Sequence, residues 1–397
     1  MLYQQNVITR LSTRCFIISA LGYIFDSHNS FSLPSLNFPF VMATLGISGL
    51  ERLKNHLLQL SEDPEIPLDE PLFDEVELQL RDENIQPVIP QLLPPLTKIL
   101  PTYQRDPSIL ASLTTKLLQP LQFTEILVTA SEHDICHALQ STYPSSAILG
   151  IMIISKAAHS PSYTTILSNM KSLLTTFFYT WLSTPHVSVG EAATKVLGDL
   201  LEMDCDGTNK PSELNHEGGN ATVIRKRPPG QGLLWRRVFY DFDIYSLFFS
   251  LCGPAHVETV TQPGLDPRQK SLAQARLLQL LPRLAMLDLY TLIHTPFPVT
   301  VDKQDTPLPA LLPFAAEQMV DKTDILMHMT LVHFYKDLLI LMSRYILPPS
   351  TLSYIGSLIT RVAREDTLLQ NCLNTITRDP ETSPELLKLM NYMGYSD

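Results

Sequence analysis

At 397 residues the chain is long enough for two domains or one extended repeat array. Hydrophobic residues make up 45% and charged residues 17%, below the roughly 25% of an average globular chain, so a large buried core is required. A net charge of −11 disfavours sequence-independent nucleic-acid binding, and 15 glycines against 31 prolines argue against sandwiches and barrels, whose turns need positive φ.

Residues 1–41 differ from the rest. The apolar run 15–25 is about half the length of a membrane span, and no small-residue cleavage site follows it. The Arg-bearing, acid-free start shares features with a mitochondrial transit peptide. The stronger reading is an unstructured leader or gene-model extension, with a native start at Met42 and an amphipathic helix over 45–60. An acidic, proline-bearing loop is expected over 61–75. Pro87, Pro90, Pro94, Pro95 and Pro101 predict short turns, not one helix, across 84–104.

From Pro107 onward the apolar spacing predicts helices over 107–118, 121–130, 132–141, 145–158, 162–182 and 187–202, punctuated by Pro144, Pro161 and Pro185. The stretch 184–201, TPHVSVGEAATKVLGDLL, reads as the second half of a HEAT or armadillo repeat. Ala192, Ala193 and Gly198 would let a neighbouring helix approach closely. One such repeat cannot bury its own apolar face, so it implies stacked neighbours and a surface for a partner. On its polar face Glu191, Lys195, Asp199 and Glu202 are either solvated or turned to a basic partner.

Residues 204–231 are polar and glycine- and proline-bearing, and read as a loop that separates N-terminal repeats (42–203) from C-terminal repeats (232–397). Helical, aromatic-rich sequence returns over 232–252. Helices follow over 268–293, 310–320, 324–346, 350–363, 365–377 and 383–393.

Chemistry-bearing clusters are few. His133, Cys136 and His137 share a helix face but lack a fourth zinc ligand, and His328 and His333 lie off a common face. Asp204, Asp206 and Gly207 miss the other positions of a calcium loop and read as loop residues. No nucleophile elbow, phosphate loop or zincin motif is present. Arg225-Lys226-Arg227 reads as a solvated loop more readily than as a nuclear-import patch. The segment 232–249 brings together Trp235, Arg236, Arg237, Asp241, Asp243 and Tyr245. These types dominate interface energetics, but Trp235 and Phe239 could equally be core. Cys15, Cys136, Cys205, Cys252 and Cys372 are odd in number and far apart, which implies no disulfide framework and a reducing compartment.

With the repeat at 184–201, the polar break and the segment LLWRRVFYDFDIYSLFF in hand, the chain over 42–395 resembles the assembly chaperones of the proteasome regulatory-particle base. That family includes the non-ATPase regulatory subunit five of animals, and its fungal relatives often carry a DNA mismatch repair name. The resemblance implies a curved HEAT/armadillo array without catalytic activity that binds the C-terminal domain of an AAA ATPase subunit and leaves before the mature particle forms. It supplies no motif that places the contacts, so Trp235, Arg236, Arg237, Asp241, Asp243, Tyr245, Glu191, Lys195 and Asp199 are expected contacts on chemistry alone. The expectation is an all-α solenoid, a monomer in cytoplasm or nucleus, without cofactor, metal, nucleic acid or membrane. The rivals are another helical-repeat adaptor, in transport or mismatch repair, and an enzyme with a ligand-sized pocket lined by ionisable groups.

Overall fold

Leucine-rich runs with firm proline stops fold as helices throughout the computed structural model, which describes residues 46–206, 212–213, 229–254, 265–297 and 308–395. The chain divides into units 1–46 and 47–397, and apart from Gly46 every described residue belongs to the second. The readings of residues 1–41, Met42, Gly207 and Arg225-Lys226-Arg227 lie outside the described residues.

Helix α1 (Leu50–Glu62) buries the stripe Leu53, Leu57 and Leu60. The expected loop at 61–75 is shorter than the spacing suggested, because α2 (Glu70–Gln79) already starts at Glu70 with Pro71 in its first turn, where a missing N–H costs nothing. The expected short turns at 84–104 are also corrected. Helix α3 (Ile89–Ile99) runs through Pro94 and Pro95. Those prolines cannot donate to the carbonyls of Pro90 and Gln91, but burial of Ile89, Leu92, Leu93, Leu96 and Ile99 offsets the two lost bonds.

Next come α4 (Ser108–Leu118), α5 (Phe123–Thr129), α6 (Glu132–Gln140) and α7 (Pro144–Ser155), the last running into a 3₁₀ turn at Lys156–His159. The single helix expected over 162–182 is two, α8 (Pro161–Ser168) and α9 (Lys171–Ser183). At the break the Asn169 amide donates to the Thr165 carbonyl at 2.9 Å, in place of a continuing backbone bond. Helix α10 (Val187–Asp204) closes this half.

The aromatic segment divides into α11 (Leu233–Phe239) and α12 (Phe242–Cys252), because Asp241 caps α12 by accepting from the Asp243 N–H at 3.1 Å. Helix α13 (Pro267–Ile293) is interrupted at Asp288 (φ −153, ψ 86), whose carboxylate takes the N–H and hydroxyl of Thr291. A turn at Leu311–Pro313 passes into a π-helical segment, Phe314–Gln318. Then follow α14 (Ile325–Met342), α15 (Pro349–Ala363), α16 (Thr367–Arg378) and α17 (Pro384–Tyr392). Among the described residues one strand pair occurs: Ser212–Glu213, inside the expected loop, lies antiparallel to Tyr345–Ile346. The fold is all-α.

Packing follows a regular order. Helix α9 packs on α6 and on α12, while α10 packs on α7 and on α13. Equivalent positions are bonded from helix to helix: the Leu173 N–H donates to Glu132 Oε1 at 2.9 Å, and the Thr180 hydroxyl to the Leu139 carbonyl at 3.3 Å. Phe178 meets Phe248 edge-on at 5.7 Å between ring centres, joining α9 to α12. Helices on either side of 204–231 therefore pack directly against one another. Farther along, α13 packs on α14, and α14 on α16. By length and composition α14 could cross a membrane, but Leu331, Tyr335, Leu338 and Leu339 bury one face within this unit.

Candidate interaction surface

The expected partner contacts fall on α10, α11 and α12, and the first question is what α10 faces. Gly190 and Gly198 on α10 do not admit a helix backbone; they admit two arginines of α13. A Cβ at Gly190 would stand 2.0 Å from Arg276 Nε, and one at Gly198 would stand 2.3 Å from Arg283 Nη1. The Arg276 guanidinium is buried among carbonyls at the end of α9, donating from Nη1 to Trp181 and Thr184 (both 2.9 Å) and from Nη2 to His186 (3.3 Å). It thus caps orphan carbonyls of α9 from another helix. Burial lowers its pKa, and the opposing pulls of Cys252 and Glu191 do not make up the difference.

Arg283 donates to Asp199 Oδ1 at 2.8 Å and Glu202 Oε2 at 2.6 Å. Asp199, read as solvated or partner-facing, is ion-paired to α13 and only half-buried. Glu191 and Lys195, one turn apart, remain exposed.

The cluster at 235–245 is corrected more sharply. Trp235 is 6% exposed, stacks on Phe239 at 4.9 Å and donates its indole N–H to the Leu201 carbonyl at 2.8 Å. Tyr245 is fully buried and donates its hydroxyl to the Pro309 carbonyl at 3.0 Å; burial raises its pKa well above the ordinary range. Neither side chain can reach a partner without unfolding. Three of the charged members, Arg237, Asp241 and Asp243, join Lys171 in one ion-pair network. Arg237 donates to Asp241 Oδ2 at 2.7 Å and to the Ser168 carbonyl at 3.0 Å, while Lys171 of α9 reaches Asp241 at 3.0 Å and Asp243 at 2.6 Å. Burial pushes the Asp241 carboxyl up, but Lys171, Arg237 and the Asp243 N–H outweigh it and hold it below its usual value. Arg236 is exposed.

Asp204 is not a loop residue. It ends α10, fully buried, and accepts the N–H groups of Leu234 (2.7 Å) and Trp235 (3.0 Å) at the start of α11, with the Thr164 hydroxyl at 3.3 Å. Its backbone carbonyl takes the Gly232 N–H at 2.9 Å, so both roots of the 207–228 segment are pinned together. Burial raises its carboxyl pKa above the ordinary value against the pull of those donors.

Of the nine expected contacts, Glu191, Lys195, Arg236 and Asp243 are exposed, and Asp243 among these is ion-paired. Sequence spacing gave no notice of the exposed apolar side chains Tyr290 (61%), Ile325 (60%) and Leu326 (76%), because the helical period places them beside buried neighbours.

The histidine readings divide as well. His133 and His137 are exposed and Cys136 packs against the core, where burial raises its thiol pKa. No group of three or more His, Cys, Asp or Glu side chains placed to hold a metal occurs among the described residues. His333 is exposed, whereas His328 Nε2 lies 2.8 Å from Asp366 Oδ2, which also takes the Lys322 ammonium at 2.9 Å and caps α16 through the Leu369 N–H at 3.0 Å.

No family model matches the chain, and comparisons with curated proteins and solved structures likewise find no match.

Proposed function

We propose that the chain is a non-catalytic helical-repeat assembly chaperone of the proteasome regulatory-particle base, which binds the C-terminal domain of an AAA ATPase subunit. The observation that supports this reading is the ordered packing of α6, α9 and α12 on one side and α7, α10 and α13 on the other. From Glu132 to Lys171 and from Pro144 to Val187 the repeat is about forty residues, the HEAT/armadillo period. Such stacks expose a continuous polar face for a protein partner and commit their buried side chains to neighbouring repeats. Glu191, Lys195 and Arg236 are the contacts that remain available without disturbing the fold. Cytoplasm and nucleus are the compartments in which this partner would be met.

The test is affinity capture with a tagged chain beginning at Met42. The reading requires base ATPases in the eluate without the proteolytic core. It also requires that Glu191→Lys, Lys195→Glu and Arg236→Glu together reduce capture while leaving the melting curve unchanged. A well-folded chain that captures no base ATPase, or one that captures transport or repair factors in their place, refutes it.

A further inference from the structure

A cavity of about 330 Å³ opens between α3, α4, α6 and α7, at the lower end of the roughly 300–1,000 Å³ typical of small-molecule sites. Its deep wall is apolar. Leu93, Leu118, Ile126, Ile135, Leu149 and Ile153 line it, none more than 5% exposed.

Its polar end is the start of α7. That helix has no side-chain cap and no acidic residue in its first turn. The first-turn N–H groups of Ser145 and Ser146 lie beyond the reach of intrahelical carbonyls and point toward the helix's positive end. Two hydroxyls stand there without a partner. Ser146, 8% exposed, lines the cavity and makes no hydrogen bond among the described residues. Ser145 Oγ is buried and also without a hydrogen bond. By contrast Ser131, Ser160 and Ser383 each accept an N–H at the helix they precede.

Of the ionisable groups at the rim, Asp134 is already engaged, its Oδ2 taking the Ser131 N–H (3.0 Å) and hydroxyl (2.6 Å). Tyr143 donates to the Gln104 carbonyl at 3.3 Å. Tyr103 also lines the cavity, and His137, three residues after Asp134, has no partner among the described residues.

We infer that this cavity binds a small organic acid with an apolar body. Its carboxylate sits against the Ser146 hydroxyl and the free N–H groups at the start of α7, an arrangement that helix N-termini offer to anions. Its hydrocarbon body lies along the leucine and isoleucine wall, and His137 stands at the rim as a further donor.

The experiment is calorimetric titration of the full chain with octanoate, and with 1-octanol and octylamine as probes of the same body. Octanoate is expected to bind about tenfold more tightly than 1-octanol, one charge-assisted hydrogen bond's worth. Ser146→Ala should cost about tenfold for octanoate and nothing for 1-octanol, and should leave the unliganded protein as stable as before, since the lost hydroxyl bonds nothing. Ala138→Leu, which fills the cavity from α6, should abolish binding of all three. Equal affinity for acid and alcohol, or preference for octylammonium, which would seek Asp134, overturns the assignment of the polar end. No octanoate binding to the folded chain at millimolar concentration overturns the site itself. Should Ala138→Leu fail to fold, the Ser146→Ala comparison decides alone.

Discussion

Replacing Gly190 with alanine places two opposing effects on one atom. On helix propensity alone the change should stabilise α10 by about 1 kcal/mol. Yet the added Cβ would stand 2.0 Å from Arg276 Nε, 2.3 Å from Cζ and 2.5 Å from Nη2. A free arginine would swing aside at little cost. This one is held by the carbonyls of Trp181, Thr184 and His186, and each hydrogen bond to a charged group contributes about 1.5–3 kcal/mol. Displacing the guanidinium forfeits at least two of them and leaves carbonyls of α9 without a donor. The net expectation for Gly190→Ala is a loss of about 2–5 kcal/mol, read from urea denaturation followed by far-ultraviolet circular dichroism.

The cause is isolated by a double-mutant cycle. In an Arg276→Ala background the space beside Gly190 is empty, so Gly190→Ala should be neutral or stabilising by up to about 1 kcal/mol. The reasoning fails if Gly190→Ala is harmless in the natural chain. It fails equally if the cost is the same with and without Arg276, which would locate the strain in the backbone.

Further expectations rest on other buried contacts. Burial pushes the Asp366 carboxyl up, but the Leu369 N–H, Lys322 and His328 outweigh it and hold it below its ordinary value. Its contribution is therefore full above about pH 4, the unfolded carboxyl's range, and is lost as pH falls through the lower folded value. Asp366→Asn should cost about 3 kcal/mol at pH 7, and its deficit against the natural chain should shrink below pH 4 in acid titrations of stability. Trp235→Ala should destabilise by about 3–5 kcal/mol, with a matching fall in the urea midpoint, because it empties a buried site and takes the indole donor from the Leu201 carbonyl, which keeps only the Cys205 N–H. Lost partner capture in that variant would report unfolding, not a removed contact. Cys252 is fully buried and burial raises its thiol pKa far above the ordinary value. It should react with a thiol reagent only in denaturant, whereas the half-buried Cys136 and Cys372 react sooner.

The all-α class was legible in the sequence because the helical period of leucines and the spacing of prolines are local properties, and most helix ends fall within a few residues of the expected ones. Two local rules misled. Prolines in 84–104 argued against a helix, but Pro90 sits in the first turn of α3 and the remaining losses are offset by five buried aliphatic side chains. Continuous apolar spacing over 162–182 hid the break at Asn169, where a side-chain amide competes for a backbone carbonyl. The interface candidates could not be sorted from spacing at all. Trp, Tyr and Arg are the same residue types whether they anchor a partner or a core, and only the position of other helices separates the two.

Tertiary structure alone decided that Trp235 and Tyr245 are interior, that Asp199 belongs to Arg283, and that Gly190 makes room for an arginine 86 positions later. It also placed Asp204 and Asp366 under N–H groups and cations that lie tens of residues away in the chain. Periodicity reports which face of a helix is apolar; which neighbour covers that face, and which charged groups are enclosed with it, depends on contacts that no local pattern encodes.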